Sequence, residues 1–223
     1  MLEVERLEAW WGGAQALFGI SFAVNAGELV VLQGLNGAGK STLLKSIMAC
    51  GPRVEGSIRY QRENLMAMPS HMRALSGLGY VPEDRRLFTD LTVLENLTVA
   101  ARAPRGPAAP GAALTRQDQL DEVLAMFPPL KTMLTRSASQ MSGGEQQMLS
   151  IARTLMTAPS VLLLDEPCEG IAPVLVESIS TALLALKKRG MTLLVAEQNN
   201  ILASRADRLI TLSAGQAVAA QEP

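Results

Sequence analysis

The sequence predicts an α/β protein with a mostly parallel sheet core, an antiparallel β flank at its N-terminus and an inserted helical stretch. Three observations carry this reading. Apolar runs alternate with segments of helical periodicity, as in a parallel sheet covered on both faces. Residues 1–30 alternate instead at period two. Residues from about 84 to 159 are mainly helical in pattern.

In chain order, Leu2-Glu3-Val4-Glu5 and Ile20-Ser21-Phe22-Ala23-Val24 read as flank strands, and Asn25-Ala26-Gly27-Glu28 as a tight turn. Leu29-Val30-Val31-Leu32 is a buried strand, and residues 42–48 are helical. Residues 51–56 read as a loop before a strand at 57–60. His71 is the only histidine and reads as a surface or helix-start residue. A strand at 78–81 precedes a helix that Thr92 caps, with Glu95 three residues on. Residues 103–113, rich in Pro, Gly and Ala, read as a surface loop. Leu120, Val123, Leu124 and Phe127 then share a helix face. Strands at 161–164, 191–196 and 209–212 alternate with helices at 175–188 and 201–206. The whole chain, residues 1–223, is read as one domain. Residues 1–83 and 160–223 form its core and flank, and 84–159 a helical subdomain.

Composition narrows the function. Hydrophobic residues make up 48 %, enough for a substantial core. A net charge of −1 argues against a broad nucleic-acid surface. Cys50 and Cys168 show neither metal-ligand spacing nor a disulfide framework, and read as free thiols in a reducing compartment. The N-terminus lacks a signal-peptide layout, and no apolar run approaches the ~18 residues of a membrane span. A soluble, cytoplasmic protein is expected, peripheral if it serves a membrane.

The chemistry starts at Gly34-Leu35-Asn36-Gly37-Ala38-Gly39-Lys40-Ser41, between a buried strand and the helix that Thr42 continues. In that context G-x-x-x-x-G-K-[ST] is a phosphate-binding loop. Its glycines let backbone N–H groups wrap an anion at a positive helix end. Lys40 would bridge the β- and γ-phosphates of ATP, and Ser41 would offer its hydroxyl to Mg²⁺. Asp165 and Glu166 follow the strand Leu162-Leu163-Leu164, at the carboxyl edge where parallel sheets bind ligands. Beside a phosphate loop, Asp165 is the Mg²⁺ residue, directly or through water, and Glu166 the base for the attacking water. Ser142-Gly143-Gly144-Glu145 opens a further helix and makes a second anion site. One chain rarely needs two such sites for one phosphate group; a head-to-tail dimer uses both. Trp10 and Trp11 sit beside Gly12-Gly13. Both packing into the core, or one stacking on a purine, fits these residues alone.

Together these motifs resemble the nucleotide-binding subunits of ABC transporters, members of the P-loop NTPase class, over essentially the whole chain. Gly34 to Ser41 matches the Walker A motif, Ser142-Gly143-Gly144-Glu145 the signature, and Leu162 to Glu166 Walker B. The resemblance implies nucleotide contacts from Asn36, Gly37, Ala38, Gly39, Lys40, Ser41 and Thr42, and from the signature in trans. It also implies that Trp11, which directly precedes a glycine, is the adenine-stacking aromatic.

Three positions depart from the general pattern. Glu83 stands where the family places the glutamine that reaches Mg²⁺ and the attacking water. Gln198 stands for the histidine that contacts the γ-phosphate, and Ala172 for an aspartate. A neutral amide can donate to a phosphate oxygen but carries no charge, which implies slower hydrolysis. Val81-Pro82-Glu83, Gly170-Ile171-Ala172-Pro173 and Glu197-Gln198-Asn199 are similar to the second ATPase of branched-chain amino acid importers. The urea and short-amide importers share much of this pattern. That branch implies a partner ATPase, two membrane permeases and a solute-binding protein, with the chain on the inner face of the membrane and no nucleic-acid partner. A nucleotide-binding regulatory module with little hydrolysis is the remaining alternative.

Overall fold

Residues 29–33, 161–165 and 192–196 are apolar almost throughout, and they form three adjacent strands buried on both faces. The computed structural model describes residues 1–101, 115–198 and 200–221. In chain order its elements are β1 (Leu2–Trp11), β2 (Ala14–Val24), β3 (Leu29–Gln33), α1 (Lys40–Ile47), β4 (Arg53–Tyr60), β5 (Glu63–Asn64), α2 (Ser70–Leu75), β6 (Leu78–Val81) and α3 (Val93–Ala100). Then follow α4 (Arg116–Met126), α5 (Pro128–Lys131), α6 (Gly143–Leu155), β7 (Val161–Asp165), α7 (Pro173–Lys188), β8 (Thr192–Ala196), α8 (Asn200–Ala203), β9 (Arg208–Ser213) and β10 (Gln216–Gln221).

The larger sheet has the order β10-β9-β3-β8-β7-β6, parallel except for β10 at its edge. The second, β2-β1-β4-β5, is antiparallel and is the expected N-terminal flank. Period two divides the parallel sheet between two cores. Leu29, Val31, Leu162, Leu164, Leu193 and Val195 face one core with Met148, Ile151, Ile179 and Leu183 from α6 and α7. Val30, Leu32, Leu163, Leu194 and Ile210 face the other with Leu43, Leu44 and Ile47 of α1 and the flank residues Leu2, Val4 and Ile58. Each fully buried aliphatic side chain contributes about 2 kcal/mol of transfer free energy.

Register positions the functional edge. Leu32 pairs with Ala196 and Ala196 with Asp165, while Val81 pairs with Leu164. The next residues along these strands, including Glu83, Glu166 and Glu197, therefore emerge side by side. Arg73 of α2 holds α1 from its far end. Its buried guanidinium donates to Ser46 O (3.0 Å) and Ile47 O (2.7 Å), carbonyls of α1's last turn, and to Leu65 O (2.6 Å); its Nε donates to Met68 O (2.9 Å). A cation there complements the negative end of α1.

The structure corrects several sequence boundaries. Residues 53–56, expected as loop, begin β4, and Arg53, Val54 and Glu55 pair with β1. Gly56 misled the reading because it marks a register shift: its φ is +106°, and a Cβ there would lie 2.4 Å from Arg6 O. Trp10 and Trp11 end strand β1, and only Gly12-Gly13 turns the hairpin. The helix expected at 201–206 is the short α8, and β5, β10 and α5 were not foreseen. The capping box of Thr92 and Glu95 is present, as is the apolar face of α4. His71 is exposed on α2. The stretch 103–113 lies outside the described residues. Among the described residues no helix is long and apolar enough to cross a membrane.

Candidate active site

The loop after β3 turns into α1 through Gly39, the N-cap, at φ +105°. An L side chain there would be strained, and its Cβ would meet Leu17 at 2.7 Å. Lys40 follows and is 3 % exposed. Its Nζ donates to Gly34 O at 2.8 Å and lies 3.0 Å from Glu166 Oε1. The ammonium is thus held inside the loop that the sequence assigns to phosphate.

Ser41 Oγ donates to Asp165 Oδ1 at 2.8 Å, and Tyr80 Oη donates to Asp165 Oδ2 at 3.1 Å. Asp165 is fully buried, and burial raises its carboxyl's pKa against both hydrogen bonds. The Ser41 and Asp165 oxygens form a hard donor pair at the sheet's carboxyl edge. No group of three or more His, Cys, Asp or Glu gathers as a self-contained metal cage among the described residues. A cation held by few protein oxygens, with phosphate and water completing its shell, suits Mg²⁺.

Glu166 adopts φ +48°, an uncommon conformation for a non-glycine residue that turns the chain sharply after β7. Burial tends to raise its pKa, but hydrogen bonds from Glu169, Lys40 and Gln198 outweigh this, and the net shift is down. Glu169 moves the other way, to about 7, chiefly because its carboxyl hydrogen-bonds the Glu166 carboxylate. Of these two acids Glu166 stays ionised and Glu169 retains the proton longer. Gln198 Nε2 lies 3.3 and 3.4 Å from the Glu166 oxygens and also donates to Asn36 Oδ1 in the phosphate loop.

Lys40, Ser41, Glu166 and Glu169 border one cleft of about 580 Å³, with Asn36, Gly37, Gly39, Thr42 and Glu83 also in its lining. Ala38 is buried beneath the loop, in the core beside α1. Exposed Glu83 enters the cleft from the end of β6, as its position after Val81 requires.

The tryptophans separate clearly. Trp10 lies under the Arg53 guanidinium, 4.3 Å from the ring centroid. Trp11 is 45 % exposed, and its indole N–H donates to Thr42 Oγ1 at 3.2 Å. Its ring lies beside the helix that carries Lys40 and Ser41, not in the cleft wall. Phe18, Gln15, Ala214 and Gly215 supply that wall.

Ser142, Gly143, Gly144 and Glu145 do not border this cleft. Ser142 caps α6 in a reciprocal box with Glu145, whose Oε2 accepts from Ser142 N at 2.7 Å. The sequence reading missed Phe18, Tyr80, Glu169 and Glu197. Register with β7 exposes Tyr80's role, but no local pattern in the sequence does.

Comparison with known proteins agrees with this geometry. The family model described as ABC transporter matches residues 17–169. The chain is 42 % identical over 223 residues to the high-affinity branched-chain amino acid transport ATP-binding protein BraG of Pseudomonas aeruginosa, covering 98 % of this chain and 91 % of that protein. It is 34 % identical to the probable branched-chain amino acid transport ATP-binding protein LivF of Archaeoglobus fulgidus, covering 89 % and 82 %. Among solved structures, a dimeric ATP-binding cassette in a post-hydrolysis state bound to ADP and Pi superposes with a TM-score of 0.84 at 25 % identity, covering 100 % and 98 %. The phosphate loop, the acidic strand end and these likenesses agree: the chain belongs to the ABC transporter family, as an ATP-binding and ATP-hydrolysing subunit.

Proposed function

We propose that this subunit hydrolyses ATP to energise import of branched-chain amino acids, gripping each nucleotide between its own phosphate loop and the signature helix of a second ATPase subunit. One observation above all supports the reading. Lys40, Ser41 and Glu166 border one cleft, with Asp165 hydrogen-bonded to Ser41 and Gln198 to Glu166, whereas Ser142 and Gly144 open a helix outside it. The names of the two relatives supply the solute class.

Lys40, now held by Glu166, exchanges that carboxylate for the β- and γ-phosphate oxygens when ATP enters. Released from the lysine, Glu166 accepts a proton from the water that attacks the γ-phosphorus. Gln198 donates its amide N–H to a γ-phosphate oxygen and spans toward Asn36. Ser41 and Asp165, with Glu83 reaching in from β6, would hold Mg²⁺. That ion would neutralise developing phosphate charge. Trp11 stacks the adenine. Ser142, Gly143, Gly144 and Glu145 bind the γ-phosphate held by the partner.

In this reading residues 84–159 form the helical subdomain that receives a permease, and the complex lies on the inner face of the membrane. The partner is a different ATPase subunit, with two permeases and a solute-binding protein completing the importer.

Glu166→Gln tests the core of it. ATP binding should persist while turnover falls by about 10² or more, the usual worth of a general base. Normal turnover would remove Glu166 from its role. Isolating the complex and measuring which solute its binding protein takes separates branched-chain amino acids from urea or short amides.

A further inference from the structure

Glu197 is a carboxylate that the chemistry above does not use. It follows β8, is 3 % exposed, and does not border the cleft. An anion withdrawn from water at that cost must be held by donors. Its Oε1 accepts from the backbone N–H of Cys168 at 2.7 Å. Its Oε2 accepts from the backbone N–H of Gln198 at 3.1 Å. Its own N–H continues the sheet ladder to Leu32 O at 3.1 Å.

These three contacts join three strand ends. Leu32 leads into the phosphate loop. Cys168 lies two residues past Glu166, in the turn that sets the direction of that side chain. Gln198 carries the amide that reaches both Glu166 and Asn36. The Cys168 thiol also hydrogen-bonds the Glu197 carboxylate. Two backbone N–H donors converge on one side chain, so both of its terminal atoms must be acceptors. A carboxylate meets that requirement. A glutamine would turn an NH₂ group toward a backbone N–H.

We infer that Glu197 is a positioning residue: it clamps the turn after Glu166 to the strand end bearing Gln198 and so sets the distance between base and amide. It lies outside the cleft lining and acts through the distance it sets between Glu166 and the Gln198 amide. This inference rests on the roles given to Glu166 and Gln198 above.

The test is Glu197→Gln in the assembled transporter, measured for ATPase kcat and nucleotide affinity, alone and combined with Gln198→Ala. Misplacing a reacting group by a fraction of an ångström to an ångström costs about tenfold to a hundredfold, so kcat should fall by about tenfold or more. Affinity should stay within about twofold, because Lys40 and Ser41 are untouched. With Gln198→Ala already present, Glu197→Gln should cost less than about threefold, since the amide it positions is gone. A general folding defect would cut both backgrounds by the same factor. Unchanged kcat in a folded Glu197→Gln protein, or equal losses in both backgrounds, overturns the inference. Should Glu197→Gln fail to assemble, Glu197→Asp is measured in the same two backgrounds. It keeps both acceptor oxygens but draws them back by one methylene, and the same criteria apply. Glu166→Gln separates the two levels. If that variant is inactive while Glu197→Gln is normal, only the clamp falls. If Glu166→Gln turns over normally, the underlying assignment falls.

Discussion

Lys40 Nζ and Glu166 Oε1 lie 3.0 Å apart, and both side chains are almost wholly withdrawn from solvent. They are 126 positions apart in sequence, and the pair joins the segments that follow β3 and β7, two strands with β8 between them. Without nucleotide each is the other's counter-ion. The Lys40 ammonium also donates to Gly34 O, so it props the phosphate loop from within.

Removing one partner of a buried ion pair leaves the other uncompensated. Lys40→Met should therefore destabilise the nucleotide-free protein by about 3 kcal/mol. It should also abolish ATP binding. Urea unfolding beside a nucleotide titration checks both. An unchanged midpoint would show that Glu166 finds water or another donor.

Glu169 makes the stability of the free subunit depend on pH with a definite sign. Its carboxyl titrates near 7 in the fold against an ordinary value of 4.5, because it hydrogen-bonds the Glu166 carboxylate. A group whose folded pKa is raised contributes stability that is fully present below its unfolded value. That contribution is lost as pH rises through the folded one. Thermal midpoints should thus fall between about pH 4.5 and 7 by an increment that Glu169→Gln removes. Parallel slopes for wild type and variant across that window would refute the shared proton.

Trp11 and Trp10 should differ sharply in nucleotide binding. Base–aromatic stacking is worth about 1–3 kcal/mol, so Trp11→Ala should weaken ATP binding by about tenfold. Trp10, already covered by Arg53, should tolerate alanine with little change in affinity. Fluorescence titration with a nucleotide analogue reads both. If Phe18→Ala carries the loss instead, the purine stacks on the aromatic that borders the cleft.

Much of the site was legible without coordinates, because its parts are local. The glycines and Lys40-Ser41 sit between a strand and a helix. The acidic pair Asp165-Glu166 ends an apolar run. Thr92 caps its helix with Glu95 three residues on, and Ser142-Gly143-Gly144 opens another. Each such signal is written within about ten residues, in spacing and side-chain period. Gly56 shows the limit: a glycine opposite a bulge and a glycine in a loop look alike along the chain, and only the approach of Arg6 O distinguishes them.

The sequence by itself determined the α/β alternation, the phosphate loop, the acidic strand end and the helix that Ser142-Gly143-Gly144 opens. Tertiary structure decided which residues meet. It set Tyr80 on Asp165, gave Glu169 a shared proton with Glu166, buried Glu197 between two loops and assigned Trp10 to Arg53 and Trp11 to Thr42. The physical reason is register. Local spacing sets the face a side chain takes, but only the pairing of Leu32 with Ala196, and of Ala196 with Asp165, brings segments more than a hundred residues apart to one edge.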